Sequence, residues 1–182
     1  MDRVLDRLWI GNSTDLEPGF HLRSLGFCAV LDLRDVSTAG ASDVCIPRVV
    51  VHRVSNRDGD AWSAEDVKKA FLFIDEHLRL GKVLVACAAG MSRSPSMVIG
   101  YLVRSGWSAA EAYRHVRGAR PTIAPVAAML DSVLRVVSRN FDDVANLVEA
   151  LRADREEMAE KQSKDKTAAR RAGAKAKAKA KP

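Results

Sequence analysis

The residues that could do chemistry lie together in one short segment. Cys87 and Arg93 are six positions apart with Gly90 between them, after an apolar run at 82–86 and before a largely apolar stretch. This order predicts a strand, a tight loop and a helix. The unpaired N–H groups and the dipole at such a helix start favour an anion such as phosphate. The same field stabilises a thiolate, since cysteines at helix N-termini can have pKa values of roughly 3.5–7.5.

Each residue of this loop has a predicted role. Cys87 is the expected nucleophile, and the planar guanidinium of Arg93 can hold two phosphate oxygens at once. Ser94 is expected to donate a hydrogen bond to the sulfur, which would help the thiolate leave when water attacks the phosphoenzyme. A glycine lets the loop close around the anion, and the backbone N–H groups would come from Ala88, Ala89, Gly90, Met91 and Ser92. The segment therefore predicts phosphoryl transfer through a cysteinyl-phosphate.

A general acid is needed to protonate the leaving alkoxide or phenoxide. The candidates lie in the polar loop at 55–60, where Asp58 is the first choice and Asp60 the second. The alternative is that both are ordinary turn aspartates. Trp62, beside this loop, could form one wall of the substrate cleft or pack in the core.

Strands alternate with helices around these residues. Hydrophobic patterning predicts one or two short strands at 3–10 and single strands at 28–33, 48–54 and 82–86. Caps and helical spacing predict helices at 20–25, from Ser63 to Gly81, after Arg93, from Ser108, from about 125 to 138, and from about 142. This alternation predicts an α/β fold with a central mixed sheet flanked by helices. The loop that starts at Cys87 would then lie at the carboxyl end of a central strand, where such folds bind ligands.

The net charge of +6 is concentrated in the last part of the chain. Residues 161–182 hold nine of the 29 Lys and Arg residues but only one of the 23 Asp and Glu residues. The basic charge therefore says nothing about the substrate of the folded part. A Lys/Ala-rich segment of this kind cannot bury enough surface to fold alone, so we expect a disordered tail at 161–182.

Other features exclude several classes of protein. No apolar stretch approaches the length of a membrane span, so we expect no membrane insertion. The three cysteines lack metal-ligand spacing and the four histidines are scattered, so we expect no metal and no cofactor. We expect a cytoplasmic protein; a nuclear or nucleoid-associated location through the basic tail is the alternative.

The chain resembles the dual-specificity branch of the protein tyrosine phosphatase superfamily, as a small atypical member. The similar segments are 8–12, 25–33, 70–75, the stretch from Arg93 to Ser96 with the following helix, and Arg120-Pro121. The resemblance implies the superfamily's three-layer fold, with Cys87 as nucleophile, Arg93 as phosphate ligand, Ser94 as thiolate stabiliser and an upstream aspartate as acid. The resemblance covers about residues 3–140. We therefore expect a catalytic domain at 1–142, followed by a helical extension at 143–160 and the basic tail at 161–182.

One position departs from the family. The residue before the nucleophile is normally a histidine that supports the loop, and here it is Ala86. We expect an active enzyme whose cysteine pKa is higher than is usual for the family. Because the loop carries no lysine at Ala88 or Met91, unlike inositide-specific relatives, the expected substrate is a phosphoprotein carrying phosphotyrosine, phosphoserine or phosphothreonine.

A second interpretation belongs to another class of protein. If Ala86 weakens or abolishes turnover, the domain is a phosphate-recognising binding module. The tail at 161–182 would then anchor it to nucleic acid or another anionic surface without sequence preference.

Overall fold

The computed structural model describes residues 1–17, 21–35, 37 and 45–153. The strands are β1 (Asp2–Arg3), β2 (Leu8–Gly11), β3 (Phe27–Asp32), β4 (Val50–Arg53) and β5 (Lys82–Ala86). The helices are a short 3-10 helix (Ser13–Leu16), α1 (Ala64–Leu78), α2 (Arg93–Arg104), α3 (Ala109–Ala119) and α4 (Ala127–Val137). Residues 141–153 are helical as well. The chain divides after residue 148, and the fold below is that of the unit Met1–Val148.

The five strands form one mixed sheet in the order β1-β2-β5-β3-β4. Only β1 runs antiparallel to its neighbour, and the other pairs are parallel. β5 lies in the middle, with Ala86 opposite Gly11 on one side and Asp32 on the other. The strand is buried along most of its length, which explains its continuous apolar sequence. Its carboxyl end delivers Cys87 to the centre of one sheet edge.

Different elements cover the two faces of the sheet. Leu84 and Ala86 of β5 belong to a buried cluster that includes Leu16 of the 3-10 helix and Leu22. Alternation along the strand turns Val83 and Val85 the other way. Helix α2 packs against β2 and β5 and also contacts α1, α3 and α4. The result is the predicted three-layer α/β fold.

Local signals explain where two helices begin. The hydroxyl of Ser63 accepts a hydrogen bond from the amide of Asp66 at the start of α1. Ser108 and Glu111 form a complete capping box at the start of α3, in which each side chain bonds to the backbone of the other residue. These caps satisfy amides that a helix start leaves unpaired, and both were predictable from the sequence.

The predicted helix at 20–25 is wrong. Phe20 lies outside the described residues, and 22–26 form hydrogen-bonded turns instead. Gly26 adopts a φ of 86°, and the amide of Phe27 returns to the carbonyl of Leu22. The segment therefore closes on itself after a single turn and leads directly into β3, since so short a helix gains too little to offset its nucleation cost.

Other predicted boundaries differ more modestly. The strand predicted at 48–54 is regular only at Val50–Arg53. The predicted tail at 161–182, and the predicted extension beyond residue 153, lie outside the described residues. Within the described part of the chain, no helix is long and apolar enough to cross a membrane.

Candidate active site

Cys87 lies at the carboxyl end of β5 and is almost fully buried, with 2% of its surface exposed. Its Sγ atom is 3.2 Å from the Oγ atom of Ser94 and accepts a hydrogen bond of 3.3 Å from the amide of Gly90. The hydroxyl of Ser94 also lies 3.3 Å from the carbonyl oxygen of Gly11. The sulfur therefore faces donors from its own loop rather than only the hydrocarbon of the core.

The loop curls because Gly90 adopts a left-handed conformation with a φ of 69°. A Cβ atom at this position would lie 2.5 Å from the Nη2 atom of Arg120 and 2.9 Å from the carbonyl oxygen of Gly11. Both the backbone angle and the lack of space therefore require glycine. The curl turns the amide of Gly90 towards the sulfur, as expected for a loop that encloses an anion.

The first turn of α2 keeps its amides available. Ser92 occupies the N-cap position, yet its side chain makes no capping hydrogen bond. Its hydroxyl instead accepts from the amide of Val126 at 3.0 Å and donates to the Sδ atom of Met129 at 3.4 Å. The positive end of the helix dipole is thus not blocked by its own cap.

Arg93 is the first residue of α2, and its side chain is 8% exposed. Its Nη1 atom donates to the carbonyl oxygens of Leu33 at 3.4 Å and Asn56 at 3.2 Å. Its buried Nε atom has no hydrogen-bond partner within the described residues. The guanidinium is therefore fixed by the backbone of two flanking loops while part of its donor capacity stays available.

Asp58 lies beside this guanidinium. Its Oδ1 atom is 3.5 Å from the Nε atom of Arg93, and its side chain is 61% exposed. Asp60 is exposed in the same loop, where its amide bonds to the carbonyl of Arg57. The structure thus brings Asp58 to the other predicted site residues and places Trp62 in the core.

Several residues that the sequence did not single out as support residues hold the loop in place. The amide of Ser13 donates to the carbonyl oxygen of Ala88 at 3.0 Å, and the amide of Ala124 donates to that of Met91 at 2.7 Å. Arg120 donates to the carbonyl of Ala89 at 3.3 Å and pairs with Asp2 at 2.6 Å. Arg120 could have been found, since it belongs to a segment of the family resemblance, but the other contacts join distant parts of the chain and leave no local signal.

Ala86 occupies the position where the family normally has histidine. It is fully buried and belongs to the apolar cluster that contains Leu16, Leu22 and Val49. The carbonyl of Ala86 accepts from the amide of Leu33 at 2.8 Å. The loop carbonyls of Ala88, Ala89 and Met91 accept the hydrogen bonds described above. The chain therefore supports this edge of the loop with hydrocarbon and backbone hydrogen bonds.

Asp32 forms a second buried charged cluster at the same sheet edge. Its carboxylate is fully buried and pairs with Arg34 and Arg53, both at 2.9 Å. Burial disfavours the charge on Asp32, but hydrogen bonds from the two arginines outweigh it and hold the pKa of this carboxyl below its ordinary value. The cluster fixes the ends of β3 and β4, next to the loop that supplies the Leu33 carbonyl to Arg93.

The described residues contain no group of His, Cys, Asp or Glu side chains that could hold a metal ion. A cavity of about 980 Å³ lies elsewhere, near the end of α2, and is lined by residues such as Phe71, Arg104 and Trp107. None of the predicted site residues lines it. The predicted site residues lie together at the loop that follows Cys87 instead.

The chain is similar in sequence to known phosphatases. Residues 8–139 match the model of the family described as dual specificity phosphatase, catalytic domain. The chain is 29% identical over 130 residues to 123R, a candidate tyrosine phosphatase of Invertebrate iridescent virus 6. The match covers 70% of this chain and 85% of the viral protein. It is 32% identical over 141 residues to a phosphatidylglycerophosphate phosphatase of Arabidopsis thaliana, covering 73% of this chain but only 41% of the plant protein.

The fold is also found in solved structures. Human tyrosine phosphatase-like serine/threonine/tyrosine-interacting protein superposes with a TM-score of 0.69 at 23% identity, over 74% of this chain and 93% of that one. At this identity the likeness concerns the fold alone. Since the family match spans most of the chain and includes the whole of the loop from Cys87 to Arg93, the chain belongs to the dual specificity phosphatase family.

Proposed function

We propose that the protein is a cysteine-dependent phosphatase that hydrolyses phosphomonoesters through a cysteinyl-phosphate. The observation that carries the proposal is the position of the Cys87 sulfur, within hydrogen-bonding distance of the Gly90 amide and the Ser94 hydroxyl. The guanidinium of Arg93 and the carboxyl group of Asp58 lie at the same site. A nucleophile, anion-binding donors and a proton donor are the parts that this reaction needs.

In the first step the thiolate of Cys87 attacks phosphorus. The sulfur–phosphorus bond forms as the bond to the leaving oxygen breaks, and that oxygen takes a proton from Asp58. The loop amides and Arg93 stabilise the charge on the three equatorial oxygens of the transition state.

In the second step water attacks the phosphoenzyme. Asp58, now a carboxylate, accepts a proton from the water, and the sulfur leaves as a thiolate. The hydroxyl of Ser94 can then donate to the sulfur instead of to the carbonyl of Gly11, since the two acceptors lie 3.2 and 3.3 Å from its Oγ atom. Inorganic phosphate is released and the free enzyme is restored.

The proposed substrate is a phosphoprotein that carries phosphotyrosine, phosphoserine or phosphothreonine. Ala88 and Met91 offer no positive charge for additional phosphates. A lipid phosphate is a second candidate, because the plant relative is named a phosphatidylglycerophosphate phosphatase. The two classes differ in what surrounds the phosphate, so a substrate panel distinguishes them.

The test compares the purified protein with Cys87→Ser on p-nitrophenyl phosphate, phosphotyrosine and phosphothreonine peptides, and phosphatidylglycerophosphate in mixed micelles. We expect hydrolysis of the aryl phosphate and at least one peptide, and loss of all turnover in Cys87→Ser. Acid quenching of the unmodified enzyme should trap phosphate on Cys87. Turnover that survives in Cys87→Ser refutes the mechanism. If the protein clearly prefers the lipid, the substrate class is lipid phosphate and not phosphoprotein.

The same experiment addresses the binding-module alternative. Tight phosphopeptide binding by the unmodified protein, without turnover of any substrate, would favour a module over an enzyme. Its nucleic-acid anchor would involve 161–182, and deletion of those residues should abolish any retardation of DNA on a gel while leaving turnover of small substrates unchanged.

A further inference from the structure

We infer that Met129 and Ser132 on α4 are positioning residues for the loop that carries the proton donor. The inference rests on the proposed function, because it assigns Asp58 to proton transfer. It concerns two side chains whose hydrogen bonds in the described structure reach neither Cys87 nor Asp58. They act through the backbone on the C-terminal side of Asp58.

The backbone after Asp58 is attached to α4 at two points. The amide of Gly59 donates to the Sδ atom of Met129 at 3.4 Å, and the amide of Trp62 donates to the Oγ atom of Ser132 at 2.9 Å. Gly59 has a φ of 99°, so the chain turns sharply directly after Asp58. These two contacts join residues 70 positions apart in the sequence, and they fix both ends of the segment that leads into α1.

The hydroxyl of Ser132 is oriented before it meets the loop. It donates its only proton to the carbonyl oxygen of Met129 within α4, at 2.8 Å. The Oγ atom is therefore left as an acceptor, which matches the amide of Trp62. Because the hydrogen bond to Met129 fixes the Ser132 hydroxyl within α4, the helix also sets the position of the Trp62 amide.

Met129 connects two loops at once. Its side chain is fully buried, and its sulfur accepts from the amide of Gly59 and from the hydroxyl of Ser92. Ser92 accepts from the amide of Val126, so its proton is available for the sulfur. One side chain thus touches the loop of the proton donor and the loop that binds phosphate, and it sets their separation.

This arrangement predicts a specific kinetic effect. A loop that is released from α4 displaces Asp58, whereas the Cys87 sulfur keeps its contacts with Gly90 and Ser94, and Arg93 keeps its hydrogen bond to Leu33. Proton transfer matters most when the leaving group is strongly basic. Loss of positioning should therefore slow phenyl phosphate more than p-nitrophenyl phosphate, whereas a general loss of structure slows both equally.

The experiment uses the full-length chain with Met129→Leu, Ser132→Ala and the double variant. Leucine conserves most of the buried volume and removes the acceptor. We expect the ratio of kcat/KM for phenyl phosphate to that for p-nitrophenyl phosphate to fall about three- to tenfold in the double variant. Hydrogen exchange of the Gly59 and Trp62 amides should accelerate in the variants that remove their respective acceptors.

Matched controls carry the same changes elsewhere. Met97→Leu alters an equally buried methionine of α2. Ser105→Ala, at the C-cap of α2, removes a hydroxyl that donates to the carbonyl of Tyr101 in that helix. Neither should change the ratio. In an Asp58→Asn background the α4 variants should also leave the ratio unchanged, because no proton donor remains to be positioned.

The outcomes separate the two proposals. An equal loss on both substrates, or an unchanged ratio with unchanged amide exchange, overturns the positioning role even if Cys87 and Asp58 behave as expected. If the unmodified protein hydrolyses neither substrate, or if Cys87→Ser retains turnover, the proposed function fails and the positioning role fails with it.

Discussion

The Oδ1 atom of Asp58 lies 3.5 Å from the Nε atom of Arg93, which pairs an exposed carboxylate with a buried guanidinium. The aspartate belongs to a turn at the surface, whereas the arginine starts a helix in the core. A phosphate bound to Arg93 would therefore have its ester oxygen near the outer side of the guanidinium, where Asp58 is found. This relationship makes Asp58 a better candidate for the proton donor than its exposed neighbour Asp60.

We predict that Asp58→Asn lowers kcat about 10²–10⁴-fold on substrates with basic leaving groups, because proton transfer by a positioned side chain contributes about this much. The loss should be smaller on p-nitrophenyl phosphate, because its leaving group needs less protonation. Steady-state kinetics on substrates with leaving groups of different basicity measure both effects. Asp60→Asn is the control, and a larger effect there would transfer the role to Asp60.

Ser94→Ala should slow the second step more than the first. The hydroxyl is fully buried and lies 3.2 Å from the Cys87 sulfur, so its loss leaves a departing thiolate with one donor fewer. We expect kcat to fall about tenfold or more while kcat/KM changes little, with an initial burst of p-nitrophenol as the phosphoenzyme accumulates. Stopped-flow absorbance measures the burst.

Ser96→Ala is a suitable control for this prediction. Ser96 is equally buried two residues further along α2, and its hydroxyl donates to the carbonyl of Ser92. A burst in Ser96→Ala of the same size, or none in Ser94→Ala, would contradict the role of Ser94.

The arrangement of the candidate site was predictable from the sequence because it is local. Cys87, Gly90, Arg93 and Ser94 lie within one strand–loop–helix segment, and the order of those elements follows from an apolar run, a glycine and a helix start. The capping box of Ser108 was readable for the same reason. In these cases the spacing along the chain fixes the spacing in space.

The support of the site was not predictable, because it depends on tertiary contacts. Arg120 reaches Asp2 across 118 positions, and Met129 reaches Gly59 across 70. No periodicity or motif marks such pairs. The wrong helix at 20–25 has a related cause, since a short apolar pattern fits a turn as well as a helix and the backbone of Gly26 decides between them.

The Asp32 cluster should give the fold a pH-dependent stability. Its arginine partners hold the pKa of this carboxyl below its ordinary value of 3.8, so the folded state favours the charged form more than the unfolded state does. The stabilisation is therefore complete well above pH 3.8 and is lost as the pH falls through the lower pKa of the folded protein. Asp32→Asn, which leaves Arg34 and Arg53 without this counter-charge, should lower the free energy of unfolding at pH 7 by up to about 3 kcal/mol.

Urea unfolding at several pH values tests this prediction. The difference between the unmodified protein and Asp32→Asn should shrink as the pH falls below 3.8. A difference that stays constant down to pH 2.5 would show that the cluster contributes through its shape rather than its charge.

Ala86→His tests whether this chain has exchanged one means of supporting the loop for another. Restoring the family's histidine should move the acidic limb of the kcat/KM profile to lower pH, because an imidazole beside the nucleophile favours the thiolate. The structure adds a cost, since the new ring would enter the apolar cluster around Leu16 and Leu22. We expect the free energy of unfolding to fall by about 1–3 kcal/mol through overpacking.

Ala86→Phe supplies a ring of comparable size without the imidazole, so it should share the loss of stability but leave the acidic limb where it is. If Ala86→His also leaves that limb unchanged, the residue before the nucleophile has no part in setting the activity of this enzyme.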